Sequence, residues 1–85
     1  MPQEVQEHRL KCLTEYFLQV CAGRKNFELR KDDRGYQIGD KVVLLEWDPV
    51  YGYSGARTRE LTITYILRDK PEYGLAPGWC ILSLE

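Results

Sequence analysis

Apolar positions recur along this chain with two different periods, and the switches between them mark out short elements. Residues 8–13, HRLKCL, alternate polar and apolar, the pattern of a strand with one buried face. Residues 1–7 before it read as a frayed lead-in. At Thr14 the period changes to that of a helix, with Tyr16, Phe17, Val20 and Cys21 forming one apolar stripe. Thr14 is placed to cap this helix, Glu15 to meet the positive end of its dipole, and Leu13 to staple against Leu18. Gly23 supplies the left-handed stop. A helix of about two turns does not persist alone, so its stripe must lie on an apolar surface.

That surface is predicted to be a sheet. In residues 26–31, NFELRK, Phe27 and Leu29 fall on one face and Glu28 and Arg30 on the other. Residues 37–48 place Gly39 and Asp40 at a turn, then run apolar without interruption, as a strand buried on both faces does. Residues 48–57, with Pro49, Gly52 and Gly55, read as a long hairpin loop. In residues 59–67, Leu61, Ile63 and Tyr65 face one way, Thr62 and Thr64 the other. A second Pro/Gly-rich loop spans 69–79, and WCILSLE closes the chain as a strand, with Trp79 expected in the core. One short helix and five or six strands make a single α+β domain over residues 1–85. The expected architecture is a small pseudo-β-barrel, closed or half open, because a flat sheet with one flanking helix would leave its apolar face wet and its edges uncovered.

Composition narrows the partners. With 44% hydrophobic and 29% charged residues the chain belongs with folded domains, not disordered ones. A net charge of −1 provides no global attraction for nucleic acid, so any such affinity must come from a local patch. Cys12, Cys21, Cys80 and His8 lack the spacing of a zinc site, and no metal or cofactor is expected. An odd number of cysteines fits a reducing cytoplasm. No run nears the roughly 20 apolar residues of a membrane span, and the N-terminus is too polar for a signal peptide, so a cytoplasmic monomer with no membrane partner is expected. His8 and Cys12 have no third member for a hydrolase triad, which leaves His8 as a hydrogen-bonded structural group.

Candidate chemistry concentrates in GRKNFELRKDDRG, residues 23–35, where five basic and three acidic residues surround Phe27 and Leu29. Solvated salt bridges along a strand explain such a run as readily as a site does. The spacing adds something: Lys25 follows the helix stop, and Glu28 and Arg30 share the next strand's face. A lysine beside a carboxylate and an arginine can grip a phosphate or a base edge, or can act in proton transfer. Lys11 and Arg34 extend the basic group. Trp47, Tyr51, Tyr53 and Tyr73 lie in or near the long loops, close to Arg57 and Arg59, where they either stack on bases or plug a barrel end.

Taken together, HRLK at 8–11, Tyr16-Phe17, GRK at 23–25, Phe27-Glu28, Arg30-Lys31, Asp33-Arg34, Gly39-Asp40 and Glu46-Trp47-Asp48 resemble the DUF3850 family of small phage and bacterial proteins. That family is placed in the ASCH branch of the PUA-like superfamily. The resemblance implies a PUA-like pseudo-barrel with a flanking helix and a cleft lined by the GRKxxExR segment. It also implies RNA or a nucleotide as ligand; together with the basic cluster and the loop aromatics, this makes Lys11, Lys25, Glu28, Arg30, Arg34, Tyr53 and Arg57 the candidate binding residues. One ASCH subgroup hydrolyses the acyl amide of N4-acetylated cytidine, and Lys25 aligns with its catalytic lysine. A threonine stands in that subgroup where this chain has Glu28. The alternatives to a binding module are therefore a small nucleoside amidohydrolase using Lys25 and Glu28, or a phage accessory protein that binds another protein.

Overall fold

A computed structural model describes residues 4–85. It contains β1 (Glu7–Leu13), α1 (Thr14–Cys21), β2 (Phe27–Lys31), β3 (Lys41–Asp48), β4 (Gly52–Arg57), β5 (Leu61–Arg68), a short 3-10 turn (Pro71–Tyr73) and β6 (Trp79–Leu84). The strands form one mixed six-stranded sheet in the order β1-β3-β5-β6-β2, with β4 also paired to β3. β1 runs parallel to β3, which requires a crossover; the other pairs are antiparallel. The fold is α+β, a half-open pseudo-barrel with one flanking α-helix.

The alternation in β1 holds throughout, burying His8, Leu10 and Cys12. Val42, Val43 and Leu44 are all buried, as the unbroken apolar run of β3 requires. The core joins these strands to Phe17, Tyr36, Leu61, Ile63, Cys80, Leu82 and Leu84, and Val20 packs against it. Within α1 the buried stripe is narrower than its spacing predicts. Tyr16 and Cys21 are exposed, because the helix meets the sheet along Phe17 and Val20 alone. Thr14 is not the cap: β1 runs directly into α1, so the strand's last residue, Leu13, holds that position and offers no side-chain acceptor. Leu13 and Leu18 are both exposed and do not form a buried staple. Gly23 does end the helix with φ of 74°, and the N–H groups of Gly23 and Arg24 bond back to Val20 and Gln19.

Four further expectations are corrected. Residues 52–57, taken as loop, form β4; as an exposed edge strand bulged near Gly55 it needs no apolar face, so nothing in its pattern marks it. In β5 an extra residue between Ile63 and Tyr65 reverses the alternation, leaving Tyr65 exposed and turning Ile66 toward the core. Residues 1–3 lie outside the described residues, but the lead-in is anchored earlier than expected. Gln6 exchanges bonds with the Asp40 carboxylate and the Lys41 amide, and Glu7 already belongs to β1. Trp79 is half-buried rather than core. Among the described residues no helix is long and apolar enough to cross a membrane.

Asp40 ties β1 to the turn before β3. Its carboxylate accepts from His8 Nε2 at 2.8 Å and from the backbone N–H groups of Gln6 at 3.2 Å and Gln37 at 3.1 Å. A carboxylate only accepts, so Nε2 carries the proton. His8 also sets its ring edge-on to Tyr36, 4.8 Å between centroids. Burial alone would raise the Asp40 pKa, but these bonds outweigh it and hold the carboxyl below its ordinary range. A group whose pKa is lower in the folded state stabilises fully above its unfolded value and loses that contribution as pH falls through the folded one. The urea midpoint is therefore expected to drop below about pH 4. Asp40→Ala is expected to lose about 3 kcal/mol at neutral pH and to show a flatter acid dependence, both read by urea denaturation.

Candidate functional site

The sheet path leaves two strands, β1 and β2, each with one edge outside the ladder. Side chains join these edges where backbone pairing does not. Arg30 Nη1 donates to the Lys11 carbonyl at 2.9 Å, satisfying an acceptor on the free edge of β1. The same nitrogen lies 3.3 Å from Glu28 Oε2, and Lys25 Nζ donates to Glu28 Oε1 and, at 2.6 Å, to the Phe27 carbonyl. Cys12 Sγ, from β1, approaches Glu28 Oε1 at 4.0 Å. The α1 stop delivers Lys25: after Gly23 turns the chain, the Lys25 amide bonds back to Gln19, which brings the side chain over β2.

Strand β2 therefore reverses the usual rule. Its alternation is the predicted one, yet the charged face points inward and Phe27 and Leu29 point out. The Glu28, Lys25 and Arg30 side chains are only 6%, 14% and 20% exposed. Burying one carboxylate is tolerable here because two cations and their hydrogen bonds compensate it. The Lys25 ammonium also lies 4.8 Å from the Phe27 ring centroid and 5.5 Å from that of Tyr16. Lys11 Nζ lies 4.1 Å over the Trp47 ring. Burial, together with the neighbouring Glu28 carboxylate, pushes the Cys12 thiol up to about 11, which favours the protonated thiol at neutral pH.

Two clefts open onto Glu28. The larger, about 500 Å³, is lined by Tyr16, Arg24, Lys25, Phe27, Glu28 and Leu29, among others. The second, about 320 Å³, has Lys11, Cys12, Glu28, Arg30 and Trp47 in its walls and shares Tyr16 and Leu29 with the first. Of the residues singled out in the sequence, Lys11, Lys25, Glu28 and Arg30 are brought together. Arg34 lies instead in a separate cleft with Arg30, Tyr36 and Trp79. Arg57 lines another with Thr58, Arg59 and Lys25, the last shared with the larger Glu28 cleft. Tyr53 is an exposed residue of β4 opposite Trp47 in the ladder, outside both Glu28 clefts. Sequence reasoning missed Tyr16, which passed as part of the helix stripe, and Cys12, whose inward parity with His8 and Leu10 was the available signal.

Residues 7–84 match a protein family described as "Domain of unknown function (DUF3850)". The chain is also 42% identical over 57 residues to the "Uncharacterized 12.9 kDa protein in GpA 3'region" of Escherichia phage P2. That match covers 67% of this chain and 50% of the phage protein, so the chain spans about half the length of that relative.

Removing the carboxylate at the seam would leave Lys25 and Arg30 buried without their counter-charge. Glu28→Ala is expected to destabilise by about 3 kcal/mol, a fall of about 15 °C in Tm for a domain of this size. Differential scanning calorimetry reads this directly. A loss below about 1 kcal/mol would mean that the three charges act as an exposed surface pair.

Proposed function

We propose that this chain, which belongs to the DUF3850 family, is a binding module for unpaired nucleobases, taking single-stranded RNA or a nucleotide into the cleft over Glu28. The observation that carries this reading is a buried Lys25–Glu28–Arg30 floor beneath exposed rings: Tyr16 is 46% and Phe27 48% exposed at its rim. A planar base has an apolar face for the rings and a polar edge for the floor. Glu28 accepts from a ring or exocyclic N–H, while the remaining N–H groups of Arg30 and Lys25 donate to ring carbonyls. Because Lys25 and Arg30 are committed to Glu28, phosphate contacts fall to Lys11 and Arg24 at the rim. The half-open barrel, the helix between β1 and β2, and the GRK segment at the cleft support assignment to the ASCH branch of the PUA-like superfamily.

Fluorescence anisotropy with labelled single-stranded and hairpin RNA tests the proposal. Binding at low salt is expected to weaken with a log–log salt slope of about −1.4, two phosphates' worth. Tyr16→Ala is expected to weaken it about fivefold or more, and Arg34→Ala to leave it unchanged. No binding at low salt, or an unaffected Tyr16→Ala protein, overturns the proposal.

The direct Lys25–Glu28 hydrogen bond favours one second reading, a nucleoside amidohydrolase. In it Glu28 takes a proton from water as the oxygen adds to the acyl carbon, and the proton passes to the leaving amine as the C–N bond breaks. Turnover of N4-acylated cytidine, followed by its ultraviolet spectrum, is then expected in the native protein and absent in Lys25→Met. An inert native protein removes this reading without touching the first.

A further inference from the structure

The two clefts above Glu28 are not independent depressions. Tyr16, Glu28 and Leu29 line both, so the two are halves of one groove that meet over the buried carboxylate. Each half carries the same pair of elements. On one side stand the Phe27 ring with Lys25 and Arg24, and on the other the Trp47 ring with Lys11 and Arg30. Each volume, about 500 and about 320 Å³, is on the scale of a small-molecule site by itself. A lone mononucleotide would fill one half and leave the other aromatic–cation pair unused. The junction of the two halves is electrostatically suited to a chain crossing it. Glu28 is compensated by two cations, so a phosphodiester passing above it meets no bare negative charge.

We infer that the groove takes two consecutive nucleotides of a single strand, one base on the Phe27 side and one on the Trp47 side, with the linking phosphate over Glu28. This rests on the base-binding reading above and sharpens it. The ligand is an oligonucleotide, and a free nucleotide occupies only half the site. Trp47 and Lys11 thereby become length-determining residues: they reward a second nucleotide. The Lys11 ammonium over the Trp47 ring orients that ring and supplies positive charge where the second residue's phosphate enters.

Isothermal titration of the intact protein with uridine 5′-monophosphate and with the dinucleotide UpU, at low salt, separates the possibilities. UpU is expected to bind about tenfold tighter, the gain of one added base on an aromatic platform. In Trp47→Ala that ratio is expected to fall to near one, while Phe27→Ala weakens both ligands. Should Trp47→Ala fail to fold, Lys11→Gln, an exposed change, is expected to reduce the same ratio. Equal affinity of the two ligands for the native protein overturns the two-nucleotide groove. So does a ratio that persists in Trp47→Ala, or in Lys11→Gln where that variant stands in. Failure of both ligands to bind overturns the base-binding reading itself.

Discussion

One buried carboxylate closes this barrel. The backbone ladder runs from β1 through β3, β5 and β6 to β2 and stops there. Glu28 and its two cations bridge the remaining gap, with Arg30 reaching the Lys11 carbonyl on the opposite edge. Open strand edges invite pairing with other chains, and the usual remedies are charge, bulges or cover. Here the edges are cross-linked by side chains, with α1 carrying the chain from one edge to the other.

That solution shapes everything around it. Because the inner face of β2 is spent on Glu28 and Arg30, its apolar residues must face outward, and Phe27 and Leu29 become the exposed rim of the clefts. Exposed aromatic rings beside a charged, largely desolvated floor would be a liability on a purely structural surface. Around a ligand site they are useful, since the rings hold a flat face and the floor reads an edge. On the proposed reading, a stabilising device and a recognition device occupy the same few residues. On that reading substitutions in the floor change stability and binding together, and variants at the rim, Tyr16 and Trp47, separate the two better.

At the other end of β1, His8 and Asp40 make a second polar latch with a different character. It is enclosed, and its carboxylate accepts three hydrogen bonds. The Arg68–Asp32 pair makes a third, its guanidinium bonding the carboxylate at 2.6 and 3.1 Å and tying β5 to the segment after β2. Buried or half-buried polar pairs thus recur at the joints of this small fold, as expected where one modest core must specify a single arrangement.

The sequence by itself determined the elements whose faces differ in polarity: β1, the unbroken run of β3, β6, and a helix stopped at Gly23. It also determined that Glu28 and Arg30 share a face and that Lys25 stands at the corner, because a period of two and a helix stop are local properties. The barrel followed from the need to cover both sheet faces. It could not show β4, an edge strand with no buried face, or the extra residue in β5 that turns Tyr65 outward. Above all, periodicity cannot say which face of β2 is inside. An isolated strand with Phe27 and Leu29 on one side reads as burying them. Only the tertiary structure brings Lys25 and the free edge of β1 within reach of Glu28, and that compensation lets the charged face win. Arg34, Tyr53 and Arg57 lie outside the Glu28 clefts for the same reason: a basic run and aromatic residues beside arginines set their candidacy, and strand pairing set their place.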